Sequence, residues 1–364
     1  MIRFASFRDF DWALLGLVLL ICSLGVAEIY SATYNTKLAG AHVRQIYWIL
    51  FGVVLLFLMS LLNYQTLLER VHWLYIVSLV SLVAVLLFGQ KYLGARRWIR
   101  ISGGTHFQPS EWIKLVVILA AAKYLADLRQ REPTVSDIVK AGLIAGVPML
   151  LVLAQPDLGT ALTYVPVAVM GLFLAGLRWK HAAVILLCGG LMMPVVWKFG
   201  LKDYQRARLT SFLDPAADPQ GSGYQVQQSL IAVGSGGIWG KGFLQGSQTQ
   251  GLFLPVTHTD FAFASFAEEQ GLLGAMGVLL LYFMVLMRLV QNAQVARDRA
   301  GSFIIMGVVA VLAFHVLVNV GMVVGFMPVT GIPLPLLSYG GSSALFTFLA
   351  LGLVMNIRMR RFVN

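Results

Sequence analysis

The sequence predicts an all-α, polytopic integral membrane protein, on two observations. Apolar residues make up 58% of the 364 and charged residues only 12%, with a mean hydropathy of +0.78, far from the balance of a soluble globule. The apolar residues also cluster in runs of about 20, the length a helix needs to cross a bilayer core. Ten spans can be placed, near 11–31, 44–62, 71–89, 110–126, 138–154, 158–176, 180–199, 262–288, 303–326 and 336–357. An even number puts both termini on one side. The chain, 1–364, is expected to form one transmembrane domain, with a long polar connection over 200–261 between spans seven and eight.

The first run, Trp12 to about Tyr30, has no small-residue cleavage site and reads as a retained helix rather than a signal peptide. Cys22 and Cys188 fall in apolar runs and have neither disulfide nor metal-ligand spacing. Spans five and six are separated only by Gln155-Pro156-Asp157-Leu158-Gly159, so one of them is either a full crossing or partly re-entrant. Arginines and lysines in the short connections, among them Arg3, Arg70, Arg129, Arg131, Arg288 and Arg358, set the terminal side as cytoplasmic. On the other side most basic residues fall in two connections. Lys91, Arg96, Arg97 and Arg100 lie in 89–109, and Lys198, Lys202, Arg206, Arg208 and Lys241 lie in 198–261. Such clusters suit an anionic ligand on the outer face or contact with lipid headgroups. The net charge of +11 is ordinary for this class and gives no argument for nucleic acid.

Three stretches carry candidate chemistry. Pro255–Gly271 joins the long connection to span eight and puts Asp260 at the water–membrane boundary. Aspartate is a favoured helix N-cap, and at a cavity mouth it is also a candidate base. Nearby cations favour its ionised form and burial opposes it; the cations are expected to prevail. Pro109-Ser110-Glu111-Trp112-Ile113-Lys114 reads as a helix start with Ser110 as cap, and places Glu111 and Lys114 on one face. A lysine about one turn inside a span is either a structural ion pair or is presented to a phosphate. The third stretch, 200–259, is too long for filler. In it Gly221–Gly237 resembles a short amphipathic helix stopped by Gly234, and Gly236–Gly242 follows with enough glycine for close backbone approach to a ligand. Asp157 is a turn residue or a second outer carboxylate.

Together these stretches resemble the SEDS family (shape, elongation, division and sporulation), most of all its elongation branch. The matching segments run almost end to end: Ile29-Tyr30-Ser31-Ala32, Gly94-Ala95-Arg96-Arg97-Trp98, Phe107-Gln108-Pro109-Ser110-Glu111 with Lys114, Gln155–Thr160, Tyr204-Gln205-Arg206 with Arg208, Gly221–Gly242, His258-Thr259-Asp260-Phe261 and Ser338-Tyr339-Gly340-Gly341-Ser342. The family often has Glu directly after the proline that precedes His-Thr-Asp. This chain has Val256 there, so no carboxylate is assigned at that position.

The resemblance implies a peptidoglycan glycosyltransferase of the bacterial inner membrane that polymerises lipid II, with its site on the extracytoplasmic face. It implies inverting transfer, with Asp260 as general base. Lys114, Arg97, Arg206 and Arg208 are then pyrophosphate ligands, Glu111 orients Lys114, and Asp157 holds a sugar hydroxyl or a divalent cation such as Mg²⁺. It also implies a class B penicillin-binding protein as transpeptidase partner. A flippase for the same lipid would need similar charges, but broken helices and midplane charges are the mark of transporters, and the charges here lie at the interface. A recruiting scaffold would need neither the intramembrane lysine nor the outer carboxylates. The division-specific branch of the family shares the same core motifs.

Overall fold

The computed structural model describes residues 7–92, 95–100, 106–128, 132–214 and 221–361. Gly94, Arg3, Arg129 and Arg131 lie outside the described residues, as do the side chains of Lys91, Arg96, Arg100 and Tyr204. The protein is a helical membrane bundle. The helices are α1 Trp12–Thr33, α2 Ala41–Leu61, α3 Tyr64–Glu69, α4 Val71–Phe88, α5 Pro109–Asp127, α6 Val135–Ala154, α7 Leu158–Leu162, α8 Val165–Leu174 and α9 Trp179–Val195. They continue with α10 Asp203–Leu213, α11 Ser222–Ser235, α12 Ser247–Gln250, α13 Ala262–Gln294, α14 Arg299–Val323 and α15 Gly341–Met359. Among the described residues, seven helices are long and apolar enough to cross a membrane: α1, α2, α4, α6, α13, α14 and α15. Charged α5, the α7–α8 pair and α9 fill the other three expected positions.

Local sequence sets many of the boundaries. Asp11, Thr134 and Asp298 cap α1, α6 and α14 by accepting from a backbone N–H three residues on. Pro109 opens α5 at its first helical position, where a missing N–H costs nothing. Ser110 therefore lies inside the first turn and is not the cap. The fifth-to-sixth junction resolves into short α7 and then α8. Between α4 and α5 the chain forms a small antiparallel sheet, β1 Gln90–Tyr92, β2 Ala95–Arg100 and β3 His106–Phe107, in the order β1-β2-β3.

α14 and α15 are the most enclosed spans, whereas α9 has no buried side chain. α15 lies close against α2, because Gly352 meets the backbone of Leu56 and Gly52 meets the ring of Phe348. At the terminal end Asp11 is wholly enclosed and pairs with Arg288 of α13 (3.0 Å) and Arg358 of α15 (2.9 Å), which ties the first span to the last. Alternating passage then brings the described parts of 89–109 and 200–261, the 155–157 turn and 324–340 together at the opposite end.

The 200–261 connection carries the three helices α10, α11 and α12. α11 runs through Gly234 and ends at Gly236, beyond the expected stop. Gly236 lies against the carbonyl of Ala267, so the helix stops where its end meets α13. That helix is itself broken: Gly271 has φ 67°, ψ −168°, a region open essentially to glycine alone. The 237–242 segment pairs with the backbone this break releases. Lys241 N and Gly242 N donate to Glu268 O and Glu269 O, each at 3.0 Å, and Leu272 N and Leu273 N donate to Gly237 O (2.9 Å) and Ile238 O (3.2 Å).

A Cβ on residue 271 would lie 2.2 Å from Gly240 N, whereas one on Gly277 would meet nothing within 4 Å. Gly271→Ala is expected to cost at least about 1–3 kcal/mol, the scale of a strained residue, and Gly277→Ala to be near neutral or stabilising. Thermal unfolding of both variants in detergent checks this; equal midpoints would remove the role given to the break.

Candidate active site

Asp260 sits in the turn before α13, and its carboxylate does not cap that helix. Phe261 is the N-cap residue, with no side-chain cap bond. The turn is instead tied to other elements. Asn319 Nδ2, on α14, donates to Asp260 O at 2.9 Å and to Ile332 O at 2.8 Å. Tyr339 N donates to His258 O at 2.8 Å. The carboxylate faces Gly331, whose φ is +73°; a Cβ there would lie 3.4 Å from Asp260 Oδ2 and 3.9 Å from Arg208 Nη1. The glycine thus leaves space between an acid and a guanidinium. Arg208 reaches this point from α10 and donates from Nη1 to Thr330 O at 3.2 Å.

Asp157 forms the second half of the cluster. It caps α7, accepting at Oδ1 from Thr160 N (3.2 Å). Its Oδ2 accepts from Gln108 Nε2 (2.8 Å) and Thr160 Oγ1 (3.0 Å), and Arg97 Nη1 of β2 lies 3.6 Å from Oδ1. Asp157 is therefore both turn residue and outer carboxylate. Burial raises the Asp260 pKa; Arg208, a hydrogen bond from Thr259 and Arg97 lower it, and the charge of Asp157 raises it again. The net direction is upward, which reverses the expectation that the cations prevail, because desolvation of this carboxyl is the largest effect. Burial likewise lowers the pKa of His258.

The predicted residues divide into those the fold brings together and those it keeps apart. Asp260, Arg208, Arg97 and Asp157 converge. Arg206 turns away along α10, with Nη2 donating to Lys198 O (2.9 Å) and Nη1 3.7 Å from Asp203. Lys114 is wholly buried, so it is not presented to a phosphate in this structure. Its ammonium lies 2.9 Å from Glu111 Oε2, 3.2 Å from His315 Nε2 and 4.4 Å from the centre of the Phe346 ring. All its donors have local partners, and that is the physical reason for setting it outside the phosphate-binding group. Sequence reading passed over His315 and Asn319, although two polar residues four apart in an apolar span were the available signal.

The cluster does not make a cage for a resident divalent cation. Both oxygens of Asp157 already accept from protein donors, Asp260 faces a guanidinium, and the described residues contain no group of three or more His, Cys, Asp or Glu that could hold a metal. The arrangement suits an anion beside a carboxyl of raised pKa: two arginines for the charge, one carboxyl for a proton.

Residues 10–362 match the family model FTSW_RODA_SPOVE, described as cell cycle protein. The chain belongs to the SEDS family. Among SEDS relatives, the peptidoglycan glycosyltransferase MrdB of Escherichia coli K12 is 40% identical over 92% of this chain and 90% of its own length. One solved relative comes from work on structural coordination of polymerization and crosslinking by a peptidoglycan synthase complex. It superposes with a TM-score of 0.83 at 35% identity, covering 98% of this chain and 99% of that one. The rod shape determining protein RodA of Thermus thermophilus superposes at 0.73 with 32% identity, covering 98% of each chain.

The electrostatics of this SEDS site can be tested directly. Arg208→Gln removes the neighbour that lowers the Asp260 pKa most, so the carboxyl should titrate at higher pH than in wild type, while Arg208→Lys should hold it closer. The titration can be followed in infrared difference spectra as the carboxyl band lost in Asp260→Asn. A shift to lower pH in Arg208→Gln would contradict the arrangement.

Proposed function

We propose that this peptidoglycan glycosyltransferase polymerises lipid II into β-1,4-linked glycan by inverting transfer, with Asp260 as general base. The observation that carries the reading is the placement of the Asp260 carboxylate: it caps no helix and faces Arg208 across Gly331. A carboxyl freed from capping, its pKa raised by burial and opposed by Arg208 and Arg97, suits proton abstraction.

In the step itself, Asp260 takes the proton of the acceptor 4-hydroxyl as that oxygen bonds to C1 of the donor sugar. The bond from C1 to the pyrophosphate oxygen breaks on the opposite face, so an α-linked pyrophosphate leaves as a β linkage forms. One base is enough because pyrophosphate is already a good leaving group. Hydrolytic inversion of a sugar–sugar bond needs a second carboxyl as acid. Arg208 and Arg97 offset the charge that develops on the leaving group, and Asp157 orients Arg97 and a sugar hydroxyl; Arg206, turned toward Lys198 and Asp203, takes no part. Any divalent cation such as Mg²⁺ would enter with the pyrophosphate.

The site then faces the extracytoplasmic side of the bacterial inner membrane, with both termini cytoplasmic. The basic residues of the terminal end, including Arg288, Arg358 and Arg361, support that orientation. Likeness to MrdB and RodA supports a role in cell elongation and rod shape. Likeness to a chain from a complex that coordinates polymerization and crosslinking supports a class B penicillin-binding protein as partner.

Asp260→Asn is nearly isosteric and should fold normally. It is expected to lose roughly 10² to 10⁴ of the polymerisation rate, the usual range for removing a general base. Glycan chain yield from purified lipid II, read beside the thermal midpoint, measures this. Near-wild-type yield would falsify the assignment.

A further inference from the structure

The turn that carries Asp260 is held largely from α14. Asn319 uses both amide hydrogens there, one on Asp260 O and one on Ile332 O. One turn earlier, His315 Nδ1 lies 3.2 Å from Pro333 O and Nε2 lies 3.2 Å from Lys114 Nζ. An ammonium only donates. Nε2 is therefore the acceptor, and Nδ1 carries the proton that bonds Pro333 O. The two side chains are four residues apart, on one face of the helix, and only 2% and 0% exposed.

The carbonyls so held belong to a short segment that reaches the site. Thr330 O accepts from Arg208, Gly331 faces Asp260 Oδ2, Ile332 O accepts from Asn319 and Pro333 O accepts from His315. Four successive residues thus connect a guanidinium, a carboxylate and two buried donors. Glu111 fixes Lys114, and Lys114 fixes the tautomer of His315.

We propose that His315 and Asn319 are positioning residues for glycosyl transfer. They hold the 330–333 segment and the Asp260 turn in register, and Lys114 acts through His315 rather than on the substrate. The inference rests on Asp260 being the base. Simple interhelical adhesion would account for buried polar pairs on α14, but it does not require the bonds to end on the two backbone segments that flank the carboxylate.

Two substitutions at one position separate these roles. His315→Asn keeps a donor where Nδ1 stood, and an amide always carries its N–H, so it needs no lysine to set a tautomer. His315→Gln reaches the place of Nε2, keeps the link to Lys114 and gives up Pro333 O. The full chain in lipid nanodiscs is assayed for kcat and KM on lipid II, for thermal midpoint, and for hydrogen exchange over 328–338. The expected result is that His315→Gln lowers kcat by about 10- to 100-fold, the scale of a small misplacement of a reacting group. KM and midpoint should stay close to wild type and exchange over 328–338 should quicken, while His315→Asn restores most of the turnover and the slow exchange. Asn319→Leu should resemble His315→Gln. Equal losses in His315→Gln and His315→Asn, unchanged exchange in His315→Gln, or a raised KM with kcat intact would each overturn the proposal. If Asp260→Asn kept wild-type turnover, the base assignment would fall instead. The exchange data would still decide, separately, whether α14 holds the segment.

Discussion

A backbone break inside the membrane must be repaired by other backbone, because lipid offers no hydrogen bonds. The break at Gly271 is where this constraint shapes the protein. The carbonyls of Glu268 and Glu269 and the N–H groups of Leu272 and Leu273 are taken up by residues 237–242. The long connection is thereby stitched into α13 instead of resting on the bundle. Gly240 and Gly271 lie too close for a side chain at either position. The turn with Asp260 lies at the other end of the α13 segment that stops at this break.

Side chains reinforce the same junction. Glu268, fully enclosed, accepts at Oε1 from Lys241 Nζ (2.8 Å) and Gln248 N (2.9 Å), and at Oε2 from Thr249 N (3.0 Å) and Thr249 Oγ1 (2.9 Å). A buried carboxylate is costly unless paired and hydrogen-bonded, and here one carboxylate meets that condition while ordering the whole approach to α12. Ser31 donates to Glu269, which joins the outer end of α1 to the same place. At the other end of the bundle Asp11 does the corresponding work with Arg288, Arg358 and Asn292. The first and eighth spans are thus pinned at both ends, and the last joins them at the terminal end.

Much of the fold was legible because hydropathy is a local, additive signal. Apolar runs give the bundle and the turn at Asp157, whereas the grouping of Asp260 with Arg97 and Arg208 comes from the family resemblance, which also includes Lys114 and Arg206. The sequence could not reveal how partners are shared. Glu111 and Lys114 were visible as neighbours on a helix, but His315 comes from 201 positions away, and only the tertiary structure shows that it uses the lysine. Arg206 and Arg208 look alike in sequence. Their different directions follow from α10, which turns one toward Lys198 and the other toward Thr330. Gly234 looked like a helix stop because glycine is poor in helices, but contact of Gly236 with α13 decides the end. The balance at Asp260 was misjudged because desolvation depends on enclosure, which no linear motif encodes.

The segment Thr330–Pro333 has a consequence for biogenesis. Chains enter the membrane in order of synthesis, and domains complete themselves as their last elements arrive. Asp260 is made well before the carbonyl that anchors Arg208 beside it, and α15 follows later still. A nascent or truncated chain therefore carries the acid without its surroundings. Asp260 gains these neighbours only once α14 and the 330–333 segment have docked.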